Sequence, residues 1–156
     1  MISAYTLTNQ VVAIDGLLDF DTNRIATGCT VKHVDGTPAF TLTKPGYYYV
    51  TFNGTITDTA AGNVTVELLN GGIAVPGATA SATVAATTDE HSVAFATIIR
   101  VLPSCCAIDN TTTLTVANTG IAATYSIARI FSGLLISRFF RILSTVNPVH
   151  LPPASC

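Results

Sequence analysis

Few residues in this sequence could carry a reaction. Cys105 and Cys106, with His91 and Asp89, supply the types that acyl transfer needs: a thiol nucleophile, an imidazole base and an orienting carboxylate. No nucleophile-elbow motif surrounds either cysteine, and His33, His91 and His150 leave little choice of base. The expectation is that the protein is not an enzyme. Cys105 and Cys106 read instead as small buried residues where a strand meets a turn. Adjacent cysteines bridge each other only with strain, so any disulfide is expected to join Cys29, Cys156 or another subunit.

Metal chemistry fares no better. None of the four cysteines stands in a C-x-x-C arrangement and no histidine lies at ligand spacing from them, so no zinc site is expected. Asp15, Asp19 and Asp21 offer oxygens of the kind Ca²⁺ takes, but without the ordered spacing of a loop motif they read as solvated carboxylates at strand ends. No cofactor is expected. Asp89-Glu90-His91 reads as a turn before a strand. Asn53-Gly-Thr55, Asn63-Val-Thr65 and Asn110-Thr-Thr112 fit the N-glycosylation acceptor pattern, which a Thr-rich chain produces by chance, and they are read as unused.

The densest aromatic cluster is Tyr47-Tyr48-Tyr49. Tyrosine joins a large apolar body to a hydroxyl, which suits subunit interfaces and sugar stacking alike. Two-residue alternation puts Tyr48, Val50, Phe52 and Ile56 on one face and Tyr47, Tyr49, Thr51, Asn53 and Thr55 on the other. Tyr48 is therefore expected in a core, and Tyr47 and Tyr49 at a subunit interface.

The elements that must position these residues are strands. A chain of 156 residues suffices for one domain with a core, plus a tail. Charged residues are only 10%, where roughly 25% is typical of soluble domains, so a partner is expected to cover part of the surface. The polar load falls on threonine, whose branched side chain suits a pleated sheet. A net charge of −2 gives no footprint for nucleic acid. Met1 to Gln10 has no basic residue and no apolar run of the secretory-signal kind, and no stretch approaches the ~20 apolar residues that cross a bilayer, so no membrane insertion is expected.

Strands are expected over Val11 to Phe20 with a break at Gly16, Gly28 to Val34, Ala39 to Thr43, Gly46 to Ile56, Val64 to Asn70, Ala78 to Ala86, Glu90 to Leu102, Thr112 to Asn118 and Ala123 to Phe131. Turn residues join them: Asp35-Gly36, Lys44-Pro45-Gly46, Ala61-Gly62-Asn63, Asn70-Gly71-Gly72, Pro76-Gly77 and Thr119-Gly120. Strands this short and regularly spaced imply an all-β sandwich or closed barrel. From Gly133 the texture changes. Leu134 to Ser144 is apolar nearly all round, and Asn147-Pro148 and Pro152-Pro153 end it in extended chain. Residues 1–131 are thus read as the domain and 132–156 as a C-terminal docking tail, possessing helical potential and anchored by Leu135, Phe139, Phe140 and Ile142.

Ala39 to Phe52, with its phenylalanine, glycine and aromatic run, resembles the signature of the C1q/tumour-necrosis-factor-like jelly roll. Val64 to Gly77 is similar to the strand and turn of the same fold in collagen-like spore-surface glycoproteins. Thr88 to Val93, Val101 to Cys106 and Thr113 to Asn118 are similar to small jelly-roll proteins of phages and prophages of Firmicutes. The likeness spans about residues 5 to 131, lacks the collagen-like stem, and adds the tail. It implies a jelly-roll β-sandwich, a homotrimer with the Tyr-rich strand near its axis, and a structural role in a phage virion. That role would be a capsid decoration protein or head fibre, assembled in the host cytoplasm and bound to the major capsid protein or another virion protein. Two alternatives share the fold: a fibre tip binding a cell-surface glycan through Gly71 to Ala78, and a spore-surface (exosporium) subunit.

Overall fold

The computed structural model describes residues 1–58, 60–85, 90–103 and 111–134. Among them the chain forms β1 (Ile2–Tyr5), β2 (Gln10–Val12), β3 (Gly16–Leu17) and β4 (Thr22–Ala26). β5 (Val31–His33), β6 (Phe40–Leu42), β7 (Gly46–Asp58) and β8 (Gly62–Asn70) follow. β9 (Ile73–Val84), β10 (Glu90–Val101), β11 (Thr112–Asn118) and β12 (Ala123–Leu134) complete the series. Two six-stranded antiparallel sheets result. The front sheet runs β10-β7-β12-β1-β4, with β2 beside the start of β12; the back sheet runs β5-β6-β11-β8-β9, with β3 beside the end of β11. The all-β jelly-roll sandwich read from the alternation is the observed fold.

One apolar layer lies between the sheets. From the front come Tyr48, Val50, Phe52, Ile56 and Ile130; from the back come Val64, Val66, Leu68, Leu114 and Val116. The alternation that put Tyr48 inside and Tyr47 and Tyr49 outside holds along β7: Tyr48 has no accessible surface, whereas Tyr47 keeps 52%. Gly54 takes an inward position of β7, where a Cβ would lie 3.0 Å from the Phe52 ring. The missing side chain lets Phe52 lean over to stack on Phe95 of β10, centroids 5.3 Å apart.

The stretch read as one strand broken at Gly16 instead passes from sheet to sheet: β2 pairs with β12 in front and β3 with β11 behind. Asp15 makes the corner at φ +61°, a conformation the short polar side chain of aspartate tolerates. Asn118, fully buried at the end of β11, holds the crossing. Its Nδ2 donates to Val12 O at 3.1 Å, Ala13 O at 3.3 Å and Ile121 O at 2.8 Å. Its own carbonyl accepts from Asp15 N–H at 2.7 Å.

The open side between β4 and β5 is closed by polar and aromatic contacts. His33 of β5 stacks on Phe40 at 4.1 Å and meets the edge of Phe20 at 6.3 Å. Its Nδ1 lies 2.9 Å from Asn23 Oδ1 on β4, and its Nε2 lies 2.8 Å from Thr37 O. Asn23 Nδ2 donates to His33 O at 3.2 Å and to Asp35 Oδ1 at 2.5 Å. A front-sheet edge is thereby tied to a back-sheet edge.

Four strand expectations are corrected. β1 and β4 lie in stretches where no strand is named above; β1 gains one ladder from β12, far along the chain, and β4 pairs with β1. Pro76-Gly77 is not a turn but a bulge inside β9, where the register with β8 shifts and Gly77 has φ +78°. β12 continues past Phe131 to Leu134, whose residues Ser132, Gly133 and Leu134 pair with Val50, Tyr49 and Tyr48.

Gly120, in the turn from β11 to β12, packs directly on the β8 backbone, so that a Cβ would overlap Asn63 O and Thr65 N. Gly120→Ala is therefore expected to cost more than about 2 kcal/mol, an overpacking against main chain that cannot rotate away. Gly72→Ala, with open space but φ +81°, should cost only ~1–2 kcal/mol for the left-handed backbone. Urea denaturation of the two variants measures the difference; equal costs would show that the β11–β12 turn yields.

Candidate functional site

The outward residues of the front sheet are set by register, and their cross-strand rows can be read directly. Arg100 lies opposite Tyr47. The next row is Ile98, Tyr49 and Gly133. Beyond it stand Ala96, Thr51, Phe131, Ser3 and Ile25, then Ala94, Asn53, Arg129 and Tyr5, then Ser92, Thr55 and Ile127. The alternation that fills the core with apolar side chains thus leaves aromatic and branched apolar residues on the opposite wall.

Exposure makes this wall unusual. Ile98 keeps 58% of its surface, Tyr47 52%, Ile127 45%, and Tyr49 and Ile25 38% each. Large exposed apolar side chains gathered on one sheet face make it a candidate interaction surface. The Arg100 guanidinium sits 5.7 Å above the Tyr47 ring, a cation–π contact that fixes the tyrosine with its body still outward. Tyr48 anchors the same strand from behind, its hydroxyl donating to Lys44 O at 2.6 Å. The wall is also pitted. A depression of about 530 Å³ lies between Met1, Thr27, Tyr49, Phe131 and Leu134. One of about 250 Å³ lies beside Asn53, Ser92, Ile127 and Arg129. A third, about 220 Å³, lies between Tyr5, Arg24 and Arg129.

Of the residues singled out in the sequence, Tyr47 and Tyr49 lie on this wall, side by side with Arg100 and Ile98. Leu135, Phe139, Phe140 and Ile142 fall outside the described residues, as do Cys105, Cys106, Cys156, Asp89 and Asn110. His91 points from the start of β10 toward the space between the sheets, level with Ile56, and Cys29 is exposed. The aspartates are separately engaged: Asp21 Oδ2 accepts from Leu7 N–H at 2.9 Å and from the Thr8 hydroxyl at 3.3 Å. Asp19 is held through its backbone by the Gln10 amide. Among the described residues no three metal-ligating side chains gather. Sequence reasoning missed Ile98, Phe131, Ile25, Arg24 and Arg129, which only lateral strand pairing brings onto the same sheet as the tyrosines.

Among solved structures, the globular domain of zebrafish complement 1qA is similar over 86% of this chain and 96% of its own, with a TM-score of 0.61 and 10% identity. Eiger TNF from S. frugiperda gives a TM-score of 0.57 at 14% identity, covering 83% of this chain and 90% of that one. The PRD1 vertex protein P5 gives 0.55 at 16% identity, covering 86% and 96%. No protein-family model and no curated protein matches the sequence. The fold is accordingly the C1q/TNF-like jelly roll.

Burial raises the ionisation of the Tyr48 phenol above its ordinary value. The stability contributed by the neutral, hydrogen-bonded phenol is fully present below about pH 10, the unfolded value, and is lost as pH rises beyond it. Alkaline unfolding followed by circular dichroism should therefore show a steeper loss above that pH for the wild type than for Tyr48→Phe. At neutral pH the variant should be less stable by about 1 kcal/mol, the lost hydrogen bond. Parallel curves would mean that the folded phenol ionises at the same pH as the unfolded one.

Proposed function

We propose that the protein is a structural component of a bacteriophage virion, a homotrimer acting as capsid decoration protein or head fibre. The observation that carries this reading is the outer wall of the front sheet, where Tyr47, Tyr49, Ile98, Phe131 and Ile127 share one surface. Exposed apolar area on this scale needs a cover, and a second copy is the partner always at hand. A sheet whose two edges differ, β10 on one side and β4 on the other, makes unlike contacts with its neighbours, and such contacts close into a ring when the rotation is right. The likeness to a phage vertex protein supports the virion setting, and the low charge of the chain supports coverage in an assembly.

Attachment to the major capsid protein or another virion protein falls to the C-terminal tail of residues 132–156, through Leu135, Phe139, Phe140 and Ile142, which follow Leu134 in the sequence. The glycan-binding tip is the weaker reading. Of the segment Gly71 to Ala78 only Gly71 and Gly72 form a turn, the rest belonging to β9. The spore-surface reading has the same fold behind it and no observation of its own.

Sedimentation equilibrium of the purified protein should give three times the mass of the chain. Ile98→Glu, which places a carboxylate beside Tyr49 on the apolar end of the wall, should weaken association by more than about tenfold. A monomer at micromolar concentration would overturn the trimeric reading. Truncation after Leu134 should leave the trimer folded and abolish binding to phage particles lacking the protein, whereas unchanged occupancy would show that the tail is not the anchor.

A further inference from the structure

The wall proposed as a subunit interface is not wholly apolar. Between β12 and β4, separated only by β1, two arginines line one depression together with Ser3 and Tyr5: Arg129 from the middle of the sheet and Arg24 from its edge. Arg24 owes its place to a bulge. Ser3 pairs with Ile25 and Ala4 with Asn23, so Arg24 is the extra residue on β4 and is turned out of the ladder. Neither guanidinium has a hydrogen-bond or ion-pair partner among the described residues. Among the described residues of these outward rows the acidic side chain is Glu90, at the far edge on β10 and level with Thr57 rather than with Asn53 and Arg129.

We infer that Arg24 and Arg129 form an oxyanion-binding site, taking a carboxylate, phosphate or sulfate group into the depression between them. A guanidinium presents its donors in a planar fork that matches two oxygens at once, and two forks on either side of a shallow depression of about 220 Å³ fit one such group. Ser3 and Tyr5 add polar atoms at its rim. Burial strengthens the case, and in this it rests on the trimeric reading above: a guanidinium removed from water without a counter-charge is strongly disfavoured. If a neighbouring copy covers this wall, an oxyanion must enter with it, so the site would make assembly dependent on an anion. The geometry of the site does not depend on the trimer.

The test is calorimetric titration of inorganic phosphate into the full chain at constant ionic strength, with sodium chloride as the reference, alongside the thermal midpoint in the same buffers. Phosphate is expected to bind and to raise the midpoint where chloride does not. Arg24→Gln and Arg129→Gln should each weaken binding by at least about tenfold, the loss of charge-assisted hydrogen bonds, while circular dichroism shows the sheet intact. A second arm tells the sources apart. If Glu90 of a neighbouring copy already fills the site, phosphate will bind to Glu90→Gln and not to the wild type. Phosphate binding to neither, or binding equally to the double arginine variant, overturns the site. A protein that stays monomeric with phosphate bound, and loses binding in either variant, upholds the site and defeats the trimeric reading instead.

Discussion

Two sheets that share one apolar layer must each keep a strict division between their faces, and this constraint shapes the rest of the molecule. Along β7 and β10 every second side chain is committed to the layer, so the remaining positions are free to serve something else. A slip of one residue would exchange Tyr48 and Phe52 for Tyr47 and Thr51, and the layer would fill with polar groups. Because the layer is continuous from Ile2 to Leu134, the chain must twice solve the problem of joining sheets without stranding polar backbone. It does so with the buried amide of Asn118 at one place and with Asn23 and His33 at the other. Both devices use a side-chain amide, whose Nδ2 reaches main-chain carbonyls and which carries no charge to bury.

The division of faces also explains how much of the fold the sequence disclosed. Alternation is local, so β7, β8, β10 and β11 were legible from Tyr48, Val64, Val93 and Leu114 and their neighbours. β1 and β4 were not: their order comes from pairing, β1 with β12 over a hundred residues away and β4 with β1. The Pro76-Gly77 pair misled for a physical reason, since the same φ angles that make a turn also make a bulge. Of the candidate site, Tyr47 and Tyr49 could be named because they stand together in the chain. Ile98 comes from β10 and Phe131 and Arg129 from β12, and their meeting with the tyrosines is a product of register that no one-dimensional pattern holds.

A wall that is both aromatic and cationic is a demanding surface to cover. Its apolar rows favour any close partner, whereas its arginines reject one that brings no negative group. The combination can make association selective where apolar area alone would be permissive. Such a surface suits a component that must remain dispersed until a specific setting is reached, and the separation of Glu90 from the arginine pair keeps one copy from satisfying itself.

The bulge at Pro76-Gly77 has a consequence for growth. β9 is the outermost strand of the back sheet, and an unbroken, straight outermost strand would invite a stranger's strand to zip alongside, sheet joining sheet without end. Proline removes one main-chain donor there and the bulge bends the ladder at the next residue. Lateral pairing of a further strand is disfavoured along this border, and β9 closes the back sheet there.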